Sequence, residues 1–228
     1  MLHNIAIIHY NTPALTAALV RSIRKHVQRH RIIVFDNSDR LRFPPMRDVT
    51  WIDNTRGQKV DFNAMLDRYP EKIPTACNWG SEKHIASVDW LFDYLPEGFL
   101  LLDSDVLLKK DITPLFDSKA AYVGMPETQP YWFQTQRLAP YCLWINVPVC
   151  RKHGIRFWHE GQVYKLSHNG QPPFYDTGAS FWEDCKAAGL PGREIDIYEY
   201  IEHFGGASCG DTTQQAWEWL DKHHDLYE

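Results

Sequence analysis

Apolar positions in this chain gather into short runs, and nearly every run stops on a small group of polar residues. Ile5-Ala6-Ile7-Ile8 leads into His9-Tyr10-Asn11, Arg31 to Phe35 stops at Asp36-Asn37-Ser38-Asp39, and Val49 to Asp53 is followed by Asn54. Runs of this length closed by turn-forming residues predict buried strands. Between the first two, Thr12 stands as an N-cap before Pro13 at the first helical position, which predicts a helix to about His26. Strand, helix and strand at this spacing make a βαβ unit, which requires a parallel pair. Farther on, Ile85, Val88, Leu91 and Leu95 form a helical stripe over Ser81 to Tyr94, closed by Pro96-Glu97-Gly98.

The run Phe99 to Leu108 follows at once, and beyond it the pattern loosens. A helical turn is predicted over Asp111 to Phe116 and strands over Ala120 to Gly124 and Leu143 to Val147. Pro126 to Pro140 reads as a polar and aromatic loop, and Phe157 to Phe174, with its glycines and prolines, as a loop or lid. Asp176 is placed to cap a helix over Thr177 to Ala188 that Gly189 ends. Ile195 to Ile201 is read as a last strand or extended segment, and a terminal helix over about Thr212 to His223 would turn Trp217 and Leu220 inward. The fold class expected is α/β, with an open, mostly parallel sheet flanked by helices. Residues 1–108 would form one half and 109–228 a smaller second half.

Within Phe99 to Leu108 the apolar run is interrupted by Asp103 and Asp105. A buried strand does not hold two unpaired carboxylates, so the pair belongs where the strand leaves the core and meets a cation. Side chains at i and i+2 leave one face of a strand, and a short turn can aim both at a single divalent ion. Oxygen ligands of this kind suit Mg²⁺ or Mn²⁺. Tyr10, Asn11, Asp36, Asn37, Asp53 and Asn54 fall at other strand ends, and polar residues gathered there mark the ligand crevice of an open parallel sheet. There is no GxGxxG after the first strand and no GxxxxGK[ST], so phosphates bound in this crevice would need a metal.

Composition narrows the choice of partner. The chain has 228 residues and a formal net charge of −5, with 44% hydrophobic residues. It has no basic stripe, which argues against nucleic acid as a partner. No apolar run approaches the roughly twenty residues of a membrane span, and the N-terminus enters a strand pattern without the marks of a signal peptide. A cytoplasmic protein is expected. Cys77, Cys142, Cys150, Cys185 and Cys209 show no CxxC spacing and read as small buried apolar groups. Aromatics such as Tyr131-Trp132-Phe133 and Phe157-Trp158-His159 are dense enough to offer flat faces to sugar rings as well as to a core.

Taken together these residues resemble nucleotide-sugar glycosyltransferases of the GT-A fold, closest to glycosyltransferase family 2. Ile5-Ala6-Ile7-Ile8-His9-Tyr10-Asn11-Thr12, with Leu19 and Ser22-Ile23, resembles that family's first strand and helix, and Val34-Phe35-Asp36-Asn37-Ser38 its second strand. Leu102-Asp103-Ser104-Asp105 matches the DxD motif, and His203, before Phe204-Gly205-Gly206, stands where the fold often supplies a third metal ligand. The family's usual ED pair is missing in that form. Counting back from Gly189 reaches Tyr175-Asp176, whereas the literal pair Glu183-Asp184 lies within the helix. Asp111, Leu115 and Phe116 after the DxD, together with His203-Phe204-Gly205-Gly206, resemble the retaining family 8 enzymes instead.

The resemblance implies a hexosyl transfer, as in polysaccharide biosynthesis, from a nucleoside-diphosphate sugar to a glycan or glycolipid acceptor. UDP is the favoured nucleotide, with GDP and dTDP as the others. Asp103, Asp105 and His203 would hold Mn²⁺ or Mg²⁺, and the metal would neutralise the leaving diphosphate. Tyr10, Asn11, Asp36, Asn37, His84, Asp103 and Ser104 would contact the nucleotide sugar. Asp176, with Asp184 in reserve, would take the acceptor's proton in an inverting reaction. The segment from Tyr131 to Phe174 is expected to select the acceptor and to order on donor binding, and a lipid acceptor would put the protein at the inner face of the membrane. Two other readings compete: a nucleotide-sugar-binding module without turnover, and a haloacid-dehalogenase-like phosphatase using Asp103 as nucleophile.

Overall fold

The computed structural model describes residues 2–62, 64, 76–128, 136–157, 176–206 and 213–228. Tyr131-Trp132-Phe133 and nearly all of the expected lid lie outside them. In chain order the strands are β1 (His3–His9), β2 (His30–Asp36), β3 (Val49–Asp53), β4 (Phe99–Asp103), β5 (Val106–Leu108), β6 (Tyr122–Gly124), β7 (Pro126–Thr128), β8 (Gln136–Leu138), β9 (Cys142–Ile145), β10 (Gly192–Glu194) and β11 (Ile201–His203). The α-helices are α1 (Pro13–His26), α2 (Ala76–Tyr94), α3 (Val147–Lys152), α4 (Ala179–Ala187) and α5 (Thr213–Lys222).

Seven strands form the central sheet in the order β10-β6-β9-β4-β1-β2-β3. All neighbours are parallel except β9, which runs against both β4 and β6. The mostly parallel α/β sheet expected from the sequence is therefore present. Both of its faces are covered, which is why its strands read as unbroken apolar runs. Along β1, Ile5 and Ile7 face Leu19, Val20 and Ile23 of α1. Ala6 and Ile8 face the other way, toward Ile85, Val88, Leu91, Phe92 and Leu95 of α2 and Phe181 and Trp182 of α4. Each large side chain so buried contributes roughly 1.5–3 kcal/mol.

The second half departs further from expectation. The segment read as a loop over Pro126 to Pro140 contains the antiparallel pair β7 and β8, with Glu127 opposite Arg137. Short helix α3 was not expected; it starts where the Asn146 side chain accepts from the Val149 N–H. Asp176 does not cap α4. That position belongs to Gly178, at φ 88°, where a Cβ would overlap the Leu138 carbonyl, so only glycine lets the helix end approach β8 this closely. The strand or extended segment expected over Ile195 to Ile201 is interrupted by a 3₁₀ turn at Ile197–Glu199, and β11 begins only at Ile201.

In α5, Ala216 and Leu220, one helical turn apart, face the core. Trp217, expected inward, is therefore turned out and is 59% exposed. Phe157, placed at the start of the lid, is buried against Phe92 and Phe181. Cys142, Cys150 and Cys185 are buried thiols. Among the described residues no helix is long and apolar enough to cross a membrane.

Candidate functional site

β4 is a central strand of the sheet, and Asp103 is its last residue. The chain turns through Ser104 and Asp105 and re-enters a strand at β5, which pairs antiparallel with β11 so that His203 lies opposite Val106. The Phe204 N–H donates to the Asp105 carbonyl at 2.9 Å and continues that pairing by one step. In this way the register of two three-residue strands brings His203 beside the Asp pair from almost a hundred residues away. One potential ligand atom each from Asp103, Asp105 and His203 lies within 4.8 Å of the others. His203 Nε2 is 3.5 Å from Asp105 Oδ1, and both side chains are nearly buried.

Two carboxylates and one imidazole, close together and largely shielded from water, fit a divalent ion that accepts oxygen and nitrogen ligands. The electrostatics agree with that reading. Burial pushes the Asp103 carboxyl up, but the His84 imidazole beside it, with His203 and Arg137 farther off, holds it below the usual carboxylate range. Burial pushes His203 down, yet the Asp105 carboxylate, followed by Asp103 and Glu127, raises it above its ordinary value. His203 thus sits in a field made for a cation.

His84 leaves α2 toward the same point and donates from Nε2 to Asp103 Oδ1 at 3.0 Å. That bond orients the carboxylate, and among the described residues His84 Nδ1 is buried without a hydrogen-bond partner. His84, expected to face sugar or phosphate, is thus committed first to Asp103. Ser104 is buried and accepts from the Thr12 hydroxyl at 2.8 Å. Thr12 holds the expected N-cap position of α1 but makes no cap bond, and instead ties that helix to the Asp103–Asp105 turn.

The residues expected to form the nucleotide pocket separate into two groups. Tyr10 and Asn11 remain accessible and share the Asp39 carboxylate, from the Tyr10 hydroxyl at 3.0 Å and the Asn11 amide at 2.6 Å. Asn11 has φ 56°, and its side-chain oxygen accepts from the Arg40 and Leu41 N–H groups, so it folds the loop after β2 over the end of β1. Asp36 and Asn37 are buried. Asp36 accepts from the Ser38 and Phe43 N–H groups and from the Trp51 indole, so its carboxylate is tied into the fold. Asn37 is likewise bonded to Ser87 and Asn54. Their location at a strand end was read correctly, but their polar atoms serve the turn.

Asp176 is bonded to Arg137, whose charge also acts on the Asp103 carboxylate. Asp176 Oδ1 accepts from the Ser81 hydroxyl at 2.6 Å and from the Thr177 N–H at 2.7 Å, and its Oδ2 is bonded to Arg137 Nη1. Arg137 also contacts Glu127, at 2.5 Å from Nε, and these two carboxylates outweigh burial to raise its already high pKa. Asp184 lies toward the far end of α4, where it lines a surface cavity with His153 and Arg156, apart from this cluster. The sequence offered no sign of Ser81, Glu127, Arg137 or Tyr141, because their partners are brought by tertiary folding rather than by spacing.

No protein-family model matches the sequence, and no curated protein is similar to it. Likeness appears among solved structures. An active-site mutant of LgtC, a glycosyltransferase, superposes with a TM-score of 0.53 at 16% identity, over 85% of this chain and 73% of LgtC. The glycosyltransferase GlyE of Streptococcus pneumoniae gives a TM-score of 0.49 at 11% identity, over 97% of this chain and 53% of GlyE. The first of these shows that the mixed α/β architecture is similar to that of GT-A glycosyltransferase structures.

Proposed function

We propose that this chain is a metal-dependent glycosyltransferase that moves a hexosyl group from a nucleoside-diphosphate sugar, UDP favoured, to a glycan or glycolipid acceptor. The observation that carries the reading is the Asp103, Asp105 and His203 cluster at the carboxyl end of a central strand, in a sheet similar to that of GT-A enzymes. Ligands of open α/β sheets bind at such strand ends. In this reading a divalent ion, Mn²⁺ or Mg²⁺, stabilises the charge that develops on the leaving diphosphate.

The chain's own residues supply the rest. Asp105 and His203 would ligate the ion, Asp103 would present the oxygen that His84 leaves free, and Tyr10 and Asn11 would border the nucleotide with residues 1–108. Residues 109–228 would carry the acceptor side. There Arg137 holds Asp176 in one orientation, and Asp176 would accept the proton of the attacking hydroxyl in an inverting transfer. A glycolipid acceptor would make the protein a peripheral one at the membrane surface. The phosphatase alternative is disfavoured because Asp103 is engaged by His84 and grouped with two further ligands rather than free to attack.

Thermal unfolding with UDP, GDP and dTDP sugars, with and without Mn²⁺, tests the reading. Ligand at a hundred times its dissociation constant adds about 2.7 kcal/mol, or roughly 5–11 °C for a chain of this size. One nucleotide should give a Mn²⁺-dependent shift that Asp105→Ala abolishes. No shift with any donor, or a shift indifferent to both metal and Asp105, would overturn it, and binding without release of free nucleotide diphosphate in the presence of acceptors would favour a binding module.

A further inference from the structure

We propose that Tyr141 is a positioning residue for His203, its ring acting as the surface that holds the imidazole in the orientation needed to ligate a metal. The proposal rests on the metal reading of Asp103, Asp105 and His203. His203 is the last residue of β11, and after Phe204 the chain passes through Gly205 and Gly206 at φ 78° and 74°, so little backbone constraint follows it. A metal-binding histidine is usually oriented by a hydrogen bond to its other ring nitrogen. Among the described residues none reaches Nδ1 of His203. What it has instead is a face: the Tyr141 ring lies 4.0 Å away, centroid to centroid, at an interplanar angle of 19°.

Tyr141 is itself fixed at both ends. Its backbone leads directly into β9 in the centre of the sheet, and its hydroxyl donates to Glu127 Oε2 at 2.9 Å and contacts the Tyr198 hydroxyl at 3.0 Å. Glu127 is in turn held by Arg137. A flat ring so anchored stops the imidazole from rotating out of the plane in which Nε2 points toward Asp105. Orientation fixed before the ligand arrives is not lost as entropy on binding.

Mn²⁺ binding to the full chain, followed by the electron paramagnetic resonance signal of the free ion, tests this without any turnover. Immobilising a side chain that is otherwise free to rotate weakens binding by about three- to tenfold. Tyr141→Met should therefore weaken Mn²⁺ binding by about that factor, whereas Tyr141→Phe, which keeps the ring, should stay within about twofold. In a His203→Ala background Tyr141→Met should have no further effect, which separates action through His203 from general loosening. Equal affinity in wild type and Tyr141→Met, or an undiminished effect in the His203→Ala background, overturns the role of the ring and leaves the metal site standing. No Mn²⁺ binding by the wild type overturns the metal site and this proposal with it. If Tyr141→Met does not fold, proton NMR of the wild type decides: His203 ring signals, assigned by their loss in His203→Ala, should lie upfield from the ring current of Tyr141, and unshifted signals refute the stack.

Discussion

Replacing Arg137 by methionine should destabilise the protein strongly at neutral pH and much less in acid. Arg137 is the cation between Glu127 and Asp176, and the side chains of the three are 17%, 22% and 15% exposed. Removing one partner of a buried pair costs about 3–5 kcal/mol because the other charge is stranded, while exposed pairs are worth at most about 1 kcal/mol. Exposures of this size place the loss near the lower end of the buried range, about 3 kcal/mol, or a fall of roughly 6–12 °C in melting temperature for a chain of this length. Methionine retains much of the apolar stem, so most of the loss is charge.

The pH dependence distinguishes this from simple loss of packing. In the variant Glu127 and Asp176 lose the guanidinium that both contact, which leaves two partly buried carboxylates without their cation. A penalty that comes from stranded negative charge is relieved as acid protonates carboxylates, whereas lost packing is not. Urea unfolding of wild type and Arg137→Met at pH 8 and pH 5 should therefore show the difference shrinking in acid. A destabilisation below about 1 kcal/mol, or one equal at both pH values, would refute the account of Arg137 as the compensating charge.

Two further expectations bear on the rest of the site. His9 is wholly buried, bonded to Thr16 at 2.7 Å and to the Leu41 carbonyl at 3.2 Å, and burial lowers its pKa against the opposing pull of Asp36. A histidine depressed in the folded state contributes full stability above its unfolded pKa of about 6.5 and loses it as pH falls below that value. Wild type should lose stability faster than His9→Gln between pH 7.5 and 5.5, with His203 common to both, and parallel curves would exclude His9 as the source. If Asp176 is the base of an inverting transfer, Asp176→Asn should cut transfer by about 10²–10⁴ while Mn²⁺-dependent donor binding persists. Activity within tenfold of wild type, or a product with the donor's anomeric configuration, would remove Asp176 from that role.

The contrast between Asp103 and Asp36 shows where reading the sequence reaches its limit. Both aspartates close an apolar run at the carboxyl end of a parallel strand, and both sit at the crevice of the sheet. The strands themselves were legible because two-sided burial writes them as continuous apolar runs, and β3 was placed to the residue. A carboxylate's use, however, depends on which donors reach its lone pairs. Asp36 is surrounded by the Ser38 and Phe43 N–H groups of its own turn and by Trp51, an indole on the adjacent strand, so it is satisfied from within. Among the described residues Asp103 receives a hydrogen bond from a histidine on a distant helix, and it is grouped with another carboxylate. Two carboxylates that the fold places side by side with an imidazole suit a shared cation. The sequence contained that signal in the pairing of Asp103 with Asp105, and it had no equivalent for Arg137, whose three carboxylate neighbours lie on other elements. Arg137 is positioned by the β7–β8 pair and by its bond to Asp176, and only the folded register of those segments reveals that an arginine's charge acts on Asp103.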